Sequence, residues 1–402
     1  MSHIPSKFLQ KTLNTVSGVQ RVTRSLQSDN TGNFGSVSAG LSQEIKFTLP
    51  NLDFIDTSSL RFNFYGSTST ATVSGFVNGL EGIISKVVLS IDGKTACSIE
   101  NQGLFSKINS IMSNTTSFNE TMGKLQLGYR TNLAAAIANR AGKQYSIPVG
   151  YAGSALNSGQ LIPCFMLPKT QISIFLEADS GKIVETNDNS ASGYIVSNCY
   201  LDYDLYRSEA LQQLYYGKQW SLKSVGLNHQ NFQVSTASSS FMISAPYKSV
   251  KSIIYVLRDL TDGVNKYGTL SKESTFVNTT GSSSYQFRLN GESIPQSAVS
   301  IDGYYNIREM LRCFGKTFDS SDLNLAWATA SNLNTIQGFN FESSSGSISG
   351  ADLVSQTSPL TLLLNLGAAT VDAHPISLDV FVLYDTSVSF GGQGYSQMVS
   401  YQ

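Results

Sequence analysis

Three histidines are the residues of this chain best suited to metal binding or general base catalysis, and their spacing argues against both. His3, His229 and His374 are scattered, and no HxH, HxxxH or HExxH pattern contains them. A zinc or hydrolytic site needs at least two such side chains at a short, fixed spacing. We therefore predict that each histidine is an ordinary surface or loop residue and that the chain holds no metal.

Four cysteines raise the question of disulfides or thiol chemistry. No CxxC pair occurs among them, and none stands beside a histidine. The N-terminus has no apolar leader, and no apolar run reaches the roughly 18 residues that span a membrane. We expect synthesis in the cytosol without secretion, with all four thiols as small apolar core residues: Cys97, Cys164, Cys199 and Cys313.

A pair of carboxylates, Asp202 and Asp204, could in principle hydrolyse a glycosidic bond. They stand at i and i+2, and they alternate with Leu201, Tyr203 and Leu205. This alternation is typical of a strand with one apolar and one polar face, so it places both aspartates on the solvent face. No G-x-S-x-G elbow and no glycine-rich phosphate loop before a helix is present. The sequence predicts no catalytic residue, no cofactor and no small-molecule substrate.

An internal repeat organises the chain. The segment from Ile83 to Met112 joins an apolar run to the turn Asp92-Gly93, and a short helical pattern follows. A second copy begins at Tyr285, where the turn is Asn290-Gly291. Both turn pairs tolerate positive φ and are strong hairpin signals after alternating apolar residues. We predict that the two segments occupy equivalent places in two similar units.

Other marks recur in the same order about half a chain apart. KFTLP matches MISAP, LRFNF matches IIYVL, QISIFLE matches TLLLNL, and Tyr203-Asp204 matches Tyr384-Asp385. Many short strands, frequent turns and only short helices predict an all-β architecture. The fold predicted from these patterns is two tandem eight-stranded jelly-roll barrels with short helices.

The predicted divisions follow from composition. We assign residues 1–40 to an N-terminal arm, 41–207 to the first jelly roll, 208–222 to a connector, 223–390 to the second jelly roll and 391–402 to a tail. A helix is predicted at 133–141, where the sequence reads LAAAIANRA. Residues 1–28 carry basic side chains and no acidic one, so the arm could lie on an inner surface. The basic residues are Lys7, Lys11, Arg21 and Arg24.

Charge is sparse in this chain. Only 14% of the residues are charged, and the formal net charge is −1. This balance gives no general attraction to nucleic acid, and it leaves little charge to cover a soluble monomer. Extensive burial against partners is therefore expected, through interfaces that are mostly uncharged and only weakly sensitive to salt.

The repeated segments resemble the double jelly-roll major capsid proteins of icosahedral viruses, in particular the Polinton-like branch. KFTLPNLDFIDTSSLRFNFYG resembles the opening strands of that family, and the segments around Asp92-Gly93 and Asn290-Gly291 resemble its hairpin-and-helix units. The proline-marked stretch 146–178 resembles the later strands of the first barrel. The likeness covers about Gln43 to Phe390, and the chain lacks the long tower insertions of adenovirus hexon.

The resemblance implies a function. Members of this family form trimers whose six barrels mimic a hexagon, and these trimers build a shell around the genome. It implies a homotrimer within a capsid lattice, other capsid proteins such as a penton, and an internal membrane or the genome against the arm. It also implies a chain made in the host cytoplasm and located in the virion. Deleting residues 1–24 is then expected to spare the barrels and to impair assembly.

Two other functions stay open at this stage. The first is a carbohydrate-binding or carbohydrate-active protein of two β-sandwich domains, which would need a cleft lined by exposed aromatic residues and carboxylates. The second is a viral spike or penton protein with one barrel and an unlike receptor-binding half. The internal repeat argues against dissimilar halves.

Overall fold

The computed structural model describes most of the chain between residues 19 and 401. The described residues are 19–35, 43–68, 74–76, 80–113, 116–118, 121, 123, 143–178, 183–186, 193–259, 283–300, 304–315, 336–342, 350–354, 356, 358–366, 376–390 and 399–401. His3, Lys7, Lys11, His374 and the helix predicted at 133–141 lie outside them.

Antiparallel strands dominate both halves. The first half contributes β1 (Gln20–Gln27), β2 (Phe34–Gly35), β3 (Glu44–Leu49), β4 (Phe54–Asp56), β5 (Arg61–Thr68), β6 (Ser74–Phe76), β7 (Ile84–Ile91), β8 (Lys94–Glu100), β9 (Lys143–Pro148), β10 (Leu161–Pro163), β11 (Thr170–Leu176), β12 (Val184–Thr186) and β13 (Tyr194–Arg207). The second half contributes β14 (Trp220–Val234), β15 (Ser238–Ile243), β16 (Val250–Asp259), β17 (Ser284–Leu289), β18 (Glu292–Ser300), β19 (Ile336–Asn340), β20 (Leu360–Asn365), β21 (Ile376–Phe390) and β22 (Val399–Tyr401).

Helices are few and short. They are α1 (Gln102–Ser113), α2 (Thr116–Phe118), α3 (Glu209–Tyr215) and α4 (Tyr304–Cys313), with 3-10 turns at Thr57–Ser59, Leu80–Ile83 and Cys164–Met166. Ser208 caps α3, because its hydroxyl accepts a hydrogen bond from the backbone N–H of Leu211.

The two halves build the same pair of sheets. In the first half, β9, β5, β13 and β1 are neighbours in one sheet, and the second sheet has the order β3-β11-β7-β8. In the second half the corresponding orders are β19-β16-β21-β14 and β15-β20-β17-β18. The chain therefore contains two eight-stranded barrels of equal strand order, as predicted. Short strands are added at the edges: β2, β4 and β10 in the first half and β22 in the second.

Each barrel has its own apolar core between its two sheets. Strand alternation supplies it: on β11 the residues Ile172, Ile174 and Leu176 are buried, while those between them are partly exposed. In the second barrel Leu362 and Leu364 of β20 have the same role. Burying such side chains contributes roughly 1.5–3 kcal/mol each, so the paired sheets account for much of the stability.

The repeated hairpins confirm the internal duplication. Asp92 and Gly93 have φ of 51° and 74°, and Asn290 and Gly291 have φ of 53° and 81°. These positive values are those of the two-residue turns that match the twist of antiparallel strands. Each hairpin forms the same edge of its four-stranded sheet, with β8 or β18 as the outermost strand. Each leads into a helix, α1 or α4.

The N-terminal segment differs from the sequence prediction. Residues 20–27, which the sequence assigns to an N-terminal arm, form β1, and β1 pairs with β13 along its whole length from Gln20↔Arg207 to Gln27↔Tyr200. Phe34 is buried in the first core. Strand β1 corresponds to β14, which pairs in the same way with β21. The first sheet thus begins at Gln20 rather than at residue 41, while the other predicted divisions stay predictions.

Candidate assembly surfaces

A buried apolar cluster joins the two barrels, and we call it the barrel seam. It combines helix α1 and its neighbours in the first half with the outer face of one sheet and helix α4 in the second. Its buried members are Ile99, Leu104, Phe105, Ile108, Met112, Tyr151, Leu227, Ile254, Val256, Met310, Leu311, Ile336 and Phe381.

Phe105 is a well-defined contact across the seam. Its ring lies 5.4 Å from the ring of Phe381 on β21, and 4.9 Å from the ring of Tyr151 in an edge-to-face arrangement. The side chain is 2% exposed. Such aromatic pairs add about 0.5–1.5 kcal/mol beyond the area that they bury, so this contact holds α1 on the second barrel.

Hydrogen bonds align the seam. The backbone N–H of Val225 on β14 donates to the carbonyl of Gly153 at 2.9 Å, and the Tyr151 hydroxyl donates to the carbonyl of Val225 at 2.6 Å. The side chain of Gln160 bonds both the N–H and the C=O of Lys223. Burial raises the pKa of Tyr151 well above its usual value, so its hydroxyl stays a donor at neutral pH.

A group of hydrogen-bonded polar side chains from both halves also joins the two barrels. Asn101, at φ 51°, lies 2.7 Å from Nδ1 of His229, and Nε2 of His229 lies 2.9 Å from Oδ1 of Asp379. Asn231 donates to the same carboxylate at 2.8 Å, so Asp379, 1% exposed, has the partners that a buried charge requires. The prediction that His229 is an ordinary surface or loop residue is wrong, because it lies on β14 and links the barrels.

The seam joins two unlike surfaces. The first barrel contributes the face of α1 that carries Phe105, Ile108 and Met112, which we call the front. The second barrel contributes the outer face of β14, β21 and β16, which we call the back. A contact of this kind is head-to-tail rather than two-fold symmetric. The corresponding outer face of the first barrel, formed by β1, β13 and β5, we call the back of the first barrel.

Asp202 and Asp204 lie on the back of the first barrel. Asp204 accepts hydrogen bonds from Nε and Nη2 of Arg21 at 3.0 and 2.6 Å and from Thr23 at 2.7 Å. Asp202 accepts one from the hydroxyl of Ser25. The outward orientation agrees with the predicted polar face. Asp204 is nevertheless only 6% exposed, because the Arg21 and Thr23 side chains of β1 lie over its carboxylate.

The predicted basic cluster is divided by the strand. Arg21 lies on the outer face of the sheet, beside Asp204 of β13. Arg24 is three positions further along β1 and therefore lies on the other, inner face. Arg21 is engaged in the ion pair with Asp204. Whether these residues, with Lys7 and Lys11, contact lipid or genome stays a prediction.

The four cysteines are free thiols in apolar surroundings, as predicted. Burial raises the pKa of Cys97 to about 11 and that of Cys199 to about 12, and it raises the pKa of Cys164 and Cys313 further. The reactive thiolate form is thus scarce at neutral pH. Within the described ranges, no group of three or more histidine, cysteine or acidic side chains is arranged to hold a metal ion. No helix of the described part is long and apolar enough to cross a bilayer.

The fold defines a class: two fused jelly rolls in a head-to-tail pair. Similar structures are the capsid of PBCV-1 virus (TM-score 0.60, 11% identity, 97% of this chain and 99% of that one) and the Faustovirus major capsid protein (0.61, 9%, 96% and 92%). The mavirus major capsid protein is a third (0.57, 9%, 100% and 95%). No family model and no curated protein sequence matches. The chain has the double jelly-roll fold of viral major capsid proteins.

Sequence reasoning missed the contacts of the seam. Phe105, Ile108 and Met112 repeat at helical spacing, which predicts a buried face but not its partner. One signal was available: the equivalent positions of α4 are Tyr305, Arg308 and Arg312. An apolar face in one copy of a repeat and a polar face in the other indicates that only the first is buried within the chain.

Proposed function

We propose that this chain is the major capsid protein of an icosahedral virus, which assembles as pseudo-hexameric trimers into the shell that encloses the genome. One observation carries the proposal: two barrels of equal strand order are held side by side by a buried seam. The likeness to viral capsid proteins over nearly the whole of both chains supports a capsid role.

The seam suits this role because it repeats a single contact. Two barrels in one chain are already joined front to back, so three chains joined in the same way supply six barrels in a closed ring. Fusing the barrels also makes half of the contacts between barrels intramolecular. The linkage raises the effective concentration of each barrel near its neighbour. A sixfold outline lets one chain fill the hexagonal positions of a shell.

The proposed partners follow from this arrangement. The chain pairs with itself, first in a homotrimer and then in a lattice, and other capsid proteins such as a penton fill the vertices. The N-terminal arm contacts an internal membrane or the genome through its basic residues Lys7, Lys11, Arg21 and Arg24. Its location is the virion, after synthesis in the host cytoplasm.

The alternative of a carbohydrate-active protein lacks support from the described surface. A cleft of about 370 Å³ lies on the second barrel, and its lining consists mainly of small polar side chains, including Ser238, Ser240 and Ser284. Tyr285, its aromatic residue, is 1% exposed and cannot stack on a sugar. The equal strand order of both halves also disfavours a spike with one unlike domain.

The mass and outline of the purified full-length chain test the proposal. We expect sedimentation velocity to give a trimer of the 43.5 kDa chain, and negative-stain microscopy to show particles with a hexagonal outline. Shell-like assemblies at high protein concentration would support the proposal further. A compact monomer at micromolar concentration, or a two-fold symmetric dimer, would overturn it.

A further inference from the structure

Strand β15 is the outermost strand of its sheet in the second barrel, and β3 is the matching edge strand in the first. In an antiparallel pair, every second residue bonds the neighbouring strand, and the backbone groups of the residues between point to the free edge. The N–H of Leu366 donates to the carbonyl of Ala237 at 2.7 Å, which fixes this alternation for β15. The backbone groups of Ser238, Ser240 and Met242 therefore face the free edge.

The first barrel covers the corresponding edge with the loop after β1. The N–H of Lys46 donates to Oδ1 of Asn30 at 3.0 Å, and its carbonyl accepts from the N–H of Asp29 at 2.7 Å. The Asn30 amide also donates to the carbonyl of Glu44 at 2.7 Å. The N–H of Thr48 donates to the Asp29 carboxylate at 3.3 Å. These groups occupy the backbone positions of β3 that another strand would need.

The second barrel leaves most of this edge open. The recurrence of KFTLP as MISAP aligns Lys46 with Met242. Two residues further on, Ser244 is covered, because the Gln230 side chain bonds both its N–H and its C=O at 2.8 and 2.7 Å. Within the part of the chain that the structure describes, no hydrogen bond reaches the edge-facing backbone of Ser240 or Met242. A position that is capped in the first barrel is thus available to a partner in the second.

The open edge lacks the features that usually protect an exposed strand. Natural edge strands are commonly blunted by charged side chains, by proline or by a bulge. Strand β15 reads SSSFMI, without charge or proline, and its pairing with β20 is regular from Ser238 to Ile243. Met242 on this edge is 68% exposed. An edge of this kind favours the addition of another strand.

The chemistry of the edge favours a second copy of the same strand as the partner. Two antiparallel copies related by a two-fold axis offer each other the same alternating donors and acceptors. A charged residue near the axis would meet its own copy, and β15 has none. In the register that uses all three edge-facing residues, Ser240 lies opposite Ser240, and Met242 of each copy lies opposite Ser238 of the other. Ser238 and Ser240 line the cleft of the second barrel, so the exposed methionine comes to lie at the rim of that cleft.

We propose that β15 of one chain pairs antiparallel with β15 of another and joins their two sheets into one across a two-fold axis. The pairing itself does not depend on the proposed function, whereas its place between neighbouring trimers of a shell rests on that function. A contact between two short strands is small and therefore weak by itself. Several such contacts in one assembly act together. Because β15 is uncharged, the contact should depend only weakly on salt.

Disulfide trapping on the full-length chain tests the pairing. Ser240→Cys places two thiols opposite each other across the axis, at a Cα separation of about 5.5 Å that a disulfide can span. Oxidation with copper phenanthroline should link about five times more chains in pairs than in the control Ser297→Cys, as measured on non-reducing gels. Ser297 is exposed on β18, the opposite edge of the same sheet. The four native cysteines do not compete, because burial raises the pKa of each thiol.

Ser240→Pro tests the same contact by removing one edge donor. The lost N–H faces the free edge, where proline is tolerated, so the thermal midpoint should stay within about 3 °C of the wild type. Self-association at high protein concentration, followed by light scattering, should weaken about tenfold, because the partner strand loses hydrogen bonds. Ser240→Lys places a charge at the axis and decides the matter where the proline variant misfolds. Ser297→Lys is its control and should associate like the wild type.

The strand pairing and the proposed trimer fail separately. A wild-type trimer whose Ser240→Cys variant links no more chains than Ser297→Cys would overturn the strand pairing alone. So would a wild-type trimer that does not associate further, or folded Ser240→Pro and Ser240→Lys variants that associate like the wild type. Linked pairs from a wild type that sediments as one or two chains, and never as three, would support the strand pairing and overturn the proposed function.

Discussion

Phe105 and Tyr305 show how one position can serve two purposes. Both lie on the same face of equivalent helices, yet Phe105 is enclosed by Tyr151 and Phe381, whereas Tyr305 is exposed beside Arg308. The change from phenylalanine to tyrosine adds one hydroxyl, which suits a ring that faces water. The side chain at this position thus matches its surroundings in each half of the chain, buried in the first and exposed in the second.

Truncation of these two residues should have unequal effects on stability. Phe105→Ala empties a closed site between the barrels and should cost about 3–5 kcal/mol. Tyr305→Ala removes an exposed ring and should change the stability of the single chain by less than about 1 kcal/mol. Chemical denaturation of both variants under conditions that keep the chain monomeric gives the comparison. Equal losses would mean that the seam contributes little.

Strand β1 is the element for which sequence and structure differ most. Its sequence, QRVTRSLQ, has weak alternation, because β1 is an edge strand with most of its side chains exposed. Its partner strand β13 lies more than 170 residues further along the chain, so no local signal in the sequence could reveal the pairing. Its charged residues suit an exposed edge, where they discourage pairing with foreign strands.

Two N-terminal truncations should separate the strand from the segment before it. Removing residues 1–18 leaves β1 whole, and the barrels should keep their thermal midpoint. Removing residues 1–28 deletes the partner of β13 and exposes the carboxylate of Asp204, and the midpoint should fall by several degrees or the chain should aggregate. Circular dichroism melts compare the two. The expectation that a chain lacking residues 1–24 keeps intact barrels is revised accordingly.

Elements with strong local signals were predicted correctly. The turns at Asp92-Gly93 and Asn290-Gly291 need positive φ, which few residue pairs tolerate, and the helices after them keep a regular apolar period. Equal order of these marks in both halves was enough to predict two barrels. The seam could not be predicted, because periodicity identifies a buried face without naming the surface that covers it. His229 likewise carries no local mark of its partners Asn101 and Asp379.

At the scale of the whole molecule, the seam couples the barrels. It unites side chains from α1, β14, β16, β21 and α4 in one buried cluster, and one backbone hydrogen bond crosses it from the N–H of Val225 to the carbonyl of Gly153. An interface of this kind resembles a core more than a contact between mobile domains. The two-barrel unit is expected to act as a single body during assembly.

Calorimetry should detect this coupling. The monomeric chain should unfold in one transition, since opening either barrel exposes the apolar surface of the other. Phe105→Ala weakens the contact and should separate the trace into two transitions, while Tyr305→Ala should leave one. Two well-separated transitions in the wild type would contradict the coupling.

The covalent link across the seam has a consequence for how a shell of the proposed kind comes apart. In the proposed trimer, three contacts between barrels lie within a chain, where the backbone and the buried seam hold them, and three lie between chains. Fracture should therefore release whole chains and never single barrels. A released chain keeps the apolar residues of its seam covered, because they are buried within it. Errors made during growth of a shell can then be undone, because a misplaced chain can leave and return with both barrels and the seam intact.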